Sequence, residues 1–200
     1  MIDRLPSGNA RLDEILNGGL LKNAINLIVG VPGSGKTILS QQFAFHNATA
    51  EQPALYLSTL SEPLDKILRF GETLDVFDHE AVREGRVIYE DLGHVLGDDG
   101  LDNILAAIDG YLKQLRPGIV VIDSFRAFHA VAGDTTAFRR FLYGLTRLLS
   151  ASATTAVWNA PYNRDQALDA AGYPPAGVVR PGNQTEPPTP AKAEKPPAAR

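Results

Sequence analysis

The chain has 200 residues, 44% of them hydrophobic, which suits one α/β domain with a sizeable core and calls for no second domain. A formal charge of −4 and a sequence pI near 5.5 give no global basic field, so DNA binding is not indicated by charge and would need a local basic patch. The absence of cysteine excludes disulfides, thiolate metal sites and cysteine catalysis, and no run has the length of a membrane span or the form of a signal peptide, so a cytoplasmic protein without membrane contact is expected.

Leu12, Ile15 and Leu16 are spaced for one face of a short helix, with Gly18 and Gly19 as its stop. Residues 25–29 (Ile-Asn-Leu-Ile-Val) have strand composition, and residues 38–44 suit a helix. Between them Gly30, Val31, Pro32, Gly33, Ser34, Gly35, Lys36 and Thr37 fit the phosphate-loop pattern of Gly, four residues, Gly-Lys-Ser/Thr, at the strand-to-helix turn where it belongs. Glycines there let backbone N–H groups converge on phosphate oxygens, and the helix start adds unpaired amides and a positive dipole end. Lys36 is expected to project clear of the core and offer its ammonium to the β- and γ-phosphates, and Thr37 to offer a hydroxyl to Mg²⁺. With Ile38, the next helical residue, these positions form the expected nucleotide-binding stretch.

Residues 54–59 read as a strand, followed by Ser61 as an N-cap and by Leu64, Ile67 and Leu68 as the buried stripe of a helix. Residues 86–90 read as a strand, and the loop after it carries Asp98 and Asp99, read as a solvated turn rather than a metal site. Leu101, Ile104, Leu105, Ile108, Leu112 and Leu115 fall on one helical face, closed by Arg116, Pro117 and Gly118. The run Ile119, Val120, Val121, Ile122 ends on Asp123, as a buried parallel strand does when its carboxyl end faces a ligand. That is a Walker B strand, with Asp123 placed to hold Mg²⁺ through hydration water. Phe138, Phe141, Leu142, Leu145, Leu148 and Leu149 mark a further helix starting near Asp134, and residues 154–158 another strand. Alternating strands and helices imply an α/β fold, a mostly parallel sheet with helices on both faces. Residues 1–158 are expected as the domain, and residues 159–200, rich in proline and alanine, as a disordered tail.

Three features together resemble the KaiC-like branch of the RecA-type ATPases: Ser7-Gly8 with Leu12-Asp13 and Gly18-Gly19-Leu20, the phosphate loop, and residues 119–124. The resemblance covers residues 5–158. It implies a RecA-like phosphate-loop core that binds ATP with Mg²⁺ and assembles as a homo-oligomeric ring or filament with nucleotide at subunit interfaces. Such proteins carry adjacent glutamates after their second strand, where this chain has Ser61 and Glu62. Glu62 is either the residue that orients the attacking water, a catalytic role alongside Lys36, or a helix-start glutamate held by the dipole. Where the family continues with further strands and basic residues, this chain becomes proline-rich after Trp158, as a truncated or frame-disrupted domain would. The expected activity is slow ATP hydrolysis. Two alternatives belong to other classes: a regulatory or scaffold module that binds ATP without turnover, and a recombination accessory protein that handles DNA.

Overall fold

A computed structural model describes residues 3–59, 64–95, 100–160 and 177–179, the side chains of the last three excepted. At the N-terminus, β1 (Arg4–Leu5) lies antiparallel to β2 (Leu20–Leu21), with α1 (Ala10–Ile15) between them. Asn9 caps α1 by accepting from the Arg11 and Leu12 amides, one of the side chains that do this well. The glycine pair does more than stop the helix: a Cβ on Gly19 would stand 2.0 Å from the Leu5 carbonyl oxygen, so the two short strands approach only because Gly19 lacks one. Asp13 accepts from the Ser7 amide at 2.7 Å. This segment is anchored to the rest of the chain by the Gln42 and Asn47 side-chain amides, which donate to the Ser7 and Pro6 carbonyls at 3.1 and 2.8 Å.

From residue 25 onward strands and helices alternate. β3 (Ile25–Val29) leads through α2 (Lys36–Asn47) to β4 (Ala54–Ser58), and α3 (Leu64–Gly71) and α4 (His79–Arg83) lead to β5 (Val87–Asp91). α5 (Gly100–Leu115) leads to β6 (Ile119–Asp123), and α6 (Arg126–Val131) and α7 (Thr135–Ala151) lead to β7 (Thr155–Ala160). α7 starts where the sequence predicts, with Asp134 accepting from the Ala137 amide at 2.8 Å. The short helices α4 and α6 have too few residues for their periodicity to be read from sequence.

The strands form one sheet in the order β5-β4-β6-β7-β3, every pair parallel. A sixth strand, β8 (Gly177–Val179), adds to the free side of β3 opposite Asn26, Leu27 and Ile28. It falls, like Asn159 and Ala160 at the end of β7, within the stretch expected as a tail. The sheet is buried on both faces. Leu55, Leu57, Val120, Ile122 and Trp158 pack against α5, α6 and α7, while Ile28, Tyr56, Val121 and Val157 pack against α2 and α3. Burying each such aliphatic or aromatic side chain is worth about 1.5–3 kcal/mol, which is why near-continuous apolar runs make these strands. Odd and even residues of β6 face opposite layers, so Asp123 is turned toward α2.

Candidate functional site

The loop between β3 and α2 is shaped by its glycines. Gly35 is the N-cap of α2 at φ +87°, a left-handed conformation that disfavours any side chain, and no side chain caps the helix start. The first-turn amides of α2 are thus left for a ligand. A Cβ on Gly33 or Gly35 would meet nothing within 4 Å, so the loop opens outward there. At Gly30 the constraint is space instead, since a Cβ would lie 2.4 Å from Ser34 Oγ. The Gly30 amide donates to Ala160 O at 3.3 Å, which ties the loop to the end of β7.

Lys36 differs from expectation in one respect. It is only 9% exposed, and its ammonium donates to the loop carbonyls of Gly30 and Val31, both at 2.9 Å. Burial lowers its pKa, and the negative charge of Asp123 offsets part of that. The ammonium is therefore held within the loop rather than projecting clear of the core. Thr37 Oγ1 donates to Asp123 Oδ2 at 2.7 Å, joining the phosphate loop to the end of β6. Val31 and Ile38 are exposed beside them.

Several polar residues at this end of the sheet carry no sequence motif. Tyr56 donates to the same Asp123 oxygen at 2.6 Å. Asn159, paired in register with Asp123 and fully buried, donates to Ser40 Oγ at 2.9 Å; the same hydroxyl lies 3.1 and 3.0 Å from the Lys36 and Thr37 carbonyls. The Thr59 amide donates to Asp123 O, and the Ser124 amide to Thr59 Oγ1, each at 3.0 Å. Strand order alone brings these together, because β6 and β7 lie between β4 and β3. Glu62, Ser61, Asp98 and Asp99 lie outside the described residues.

The donor set fits the groups that sequence reading expects. A hydroxyl and a carboxylate in contact are hard oxygen ligands of the kind Mg²⁺ takes, directly or through water. Ser34 Oγ, in the loop itself, and Asn159 Oδ1 are buried with no partner among the described residues, as atoms awaiting a polar ligand would be.

A parallel sheet with an open, glycine-shaped loop at the carboxyl end of one strand, followed by a helix whose first residues are Lys-Thr in contact with a strand-end aspartate, defines a phosphate-loop nucleotide-binding domain. The chain belongs to the family described as "ATPase: KaiC", whose model matches residues 5–167, and ATP binding follows at that level. It is 29% identical over 170 residues to a UPF0273 protein of Thermotoga maritima, covering 79% of this chain and 69% of that one. It is also similar to the circadian clock oscillator proteins KaiC of Prochlorococcus marinus, 31% over 143 residues, and Synechococcus elongatus, 30% over 147 residues. Those matches cover 72% of this chain and only 28% and 27% of the clock proteins. Among the described residues no helix is long and apolar enough to cross a membrane.

Proposed function

We propose that the domain binds Mg-ATP at residues 30–38 and hydrolyses it slowly. Lys36 exchanges its loop carbonyls for the β- and γ-phosphates, the amides at the start of α2 receive phosphate oxygens, and Thr37 and Asp123 hold Mg²⁺, the aspartate through water. Glu62 orients the attacking water. The observation that supports this reading is the 2.7 Å contact between Thr37 and Asp123, a hydroxyl and a carboxylate side by side next to the loop. Further copies of the chain, in a ring or filament, supply the charge that completes the transition state. Calorimetric titration of the purified chain with ATP, with and without Mg²⁺, tests binding, and turnover measured across protein concentration tests the interface. Absence of ATP uptake in the presence of Mg²⁺ overturns the proposal.

A second reading is favoured by Ser61, which stands where the resemblance places one of two acids. In it ATP is a conformational ligand of a regulatory module. Tight binding with no turnover at any protein concentration selects it.

A further inference from the structure

We infer that Tyr56 is a positioning residue for Asp123, fixing the carboxylate so that Mg²⁺ strengthens ATP binding; the inference rests on the Mg-ATP reading of this site. Tyr56 lies in the middle of β4 and is fully buried. Its ring packs beside Val121, opposite it on β6, and the Tyr89 ring at 5.1 Å between centroids, while its hydroxyl also meets the Ser40 side chain. Phenylalanine would satisfy the ring contacts but neither contact of the hydroxyl. A hydroxyl there is unfavourable unless bonded, and this one donates to Asp123 Oδ2 at 2.6 Å, within the range of bonds to an ionised acceptor.

Two donors therefore meet on one carboxylate oxygen, Tyr56 from the sheet and Thr37 from α2. Their fates on ligand binding differ. When the Thr37 hydroxyl turns to Mg²⁺, its bond to Asp123 is given up. Tyr56 is no metal ligand in this reading, and among the described residues it is then the side-chain donor that remains on the carboxylate. An aspartate's terminal torsion is broad and only two-fold, so an untethered carboxylate samples orientations that do not present an oxygen to the metal's water shell. Tyr56 removes that freedom by pinning Oδ2. It acts from within the core, through Asp123, and need not touch nucleotide.

Tyr56→Phe keeps the ring and deletes the donor. ATP affinity is measured by calorimetry in EDTA and in saturating Mg²⁺, and the ratio of the two is the gain due to the metal. In Tyr56→Phe the EDTA affinity is expected within about twofold of wild type and the gain lower by about tenfold, the scale of one hydrogen bond to a charged group. Tyr89→Phe, which removes a buried hydroxyl that has no partner among the described residues, is expected to leave the gain unchanged. An undiminished gain in Tyr56→Phe, or an equal loss with and without Mg²⁺, overturns the inference while leaving the Mg-ATP reading standing. A wild-type chain that takes up no ATP overturns both. Wild-type protein supplies a measurement that does not depend on the variant's folding. The Tyr56 hydroxyl proton, shielded from solvent, is expected as a slowly exchanging resonance that moves when Mg²⁺ is added to the ATP complex, and a resonance indifferent to Mg²⁺ counts against the role.

Discussion

Thr37 and Asp123 are 86 positions apart in sequence and 2.7 Å apart in space, joined because β6 ends beside the helix that follows the phosphate loop. Asp123→Asn keeps the shape and an acceptor oxygen for Thr37 and Tyr56 but removes the charge. The gain in ATP affinity on adding Mg²⁺ is expected to fall at least about tenfold, since a neutral amide holds the metal's water shell weakly. Affinity in EDTA should hold or rise, because a negative charge beside the phosphates is gone. Titration of ATP at several Mg²⁺ concentrations checks both signs.

Lys36→Ala is expected to lower ATP affinity by about a hundredfold or more, the equivalent of two hydrogen bonds to charged phosphate at about 1.5–3 kcal/mol each. Its effect on folding should be small. Among the described residues the ammonium's hydrogen bonds go to the Gly30 and Val31 carbonyls, and burial already disfavours its charge. Lys36→Met, which retains the buried stem, separates lost packing from lost charge. Equal loss of ATP affinity in both variants, with Tm within a few degrees of wild type, is the expected pattern.

The phosphate loop and Asp123 are legible in sequence because each is a short contiguous pattern with its strand and helix directly adjoining. The long helices α5 and α7 are legible for a related reason: their buried stripes repeat over 16 and 17 residues. Tyr56, Ser40 and Asn159 are not, since each looks like an ordinary member of a strand or helix. Their meeting depends on the order β4-β6-β7-β3, and alternation of elements implies parallel pairing without stating which strands are neighbours. Lys36 is legible as part of the loop pattern, but its bonds to the Gly30 and Val31 carbonyls are not, because they depend on the three-dimensional course of the loop, which is tied to β7 through the Gly30 amide and Ala160. β8 is hidden in proline-rich sequence and is only three residues long.

Gly30 and Gly35 should fail differently when replaced by alanine. At Gly30 the added methyl would stand 2.4 Å from Ser34 Oγ and 3.2 Å from its Cβ, so the Ser34 side chain must move within the loop and ATP affinity should fall by about tenfold. At Gly35 there is open space but φ is +87°, so the cost is backbone strain of about 1–2 kcal/mol, felt by the folded state even without ligand. Thermal unfolding in the absence of ATP should therefore show the larger drop for Gly35→Ala, and ATP titration a clear loss for both.

Two truncations distinguish β8 from the sequence around it. Removal of residues 181–200, dense in proline and poor in apolar side chains, is expected to leave Tm unchanged within about 1 °C. Removal of residues 161–200 also deletes β8 and uncovers the edge of β3 along Asn26, Leu27 and Ile28, the strand that carries the phosphate loop. Tm should fall by several degrees, with ATP affinity falling alongside it. Equal stability of the two shortened chains would show that β8 contributes nothing to the sheet.

Turnover should be slow relative to binding. The proposed binding groups, namely the loop, Lys36, Thr37 and Asp123, lie within one chain, whereas an arginine supplied by a neighbouring copy to stabilise the transferring phosphoryl group would be worth about 10³–10⁵ in rate. Ser61 removes one acid from the pair that the resemblance expects, leaving Glu62, four residues beyond the end of β4 at Ser58, as the remaining carboxylate. The isolated chain is therefore expected to turn over below about 1 s⁻¹, beneath the usual enzyme range, with the rate per chain rising as protein concentration favours assembly. Glu62→Gln should lower the residual rate by about tenfold or more and leave ATP affinity within about twofold, because a residue that orients water contributes to the transition state and not to ground-state binding. Steady-state phosphate release by wild type and variant, each at low and high protein concentration, checks all three expectations. A rate unaffected by Glu62→Gln would make that residue a helix-start glutamate, and the group that orients water would have to lie elsewhere.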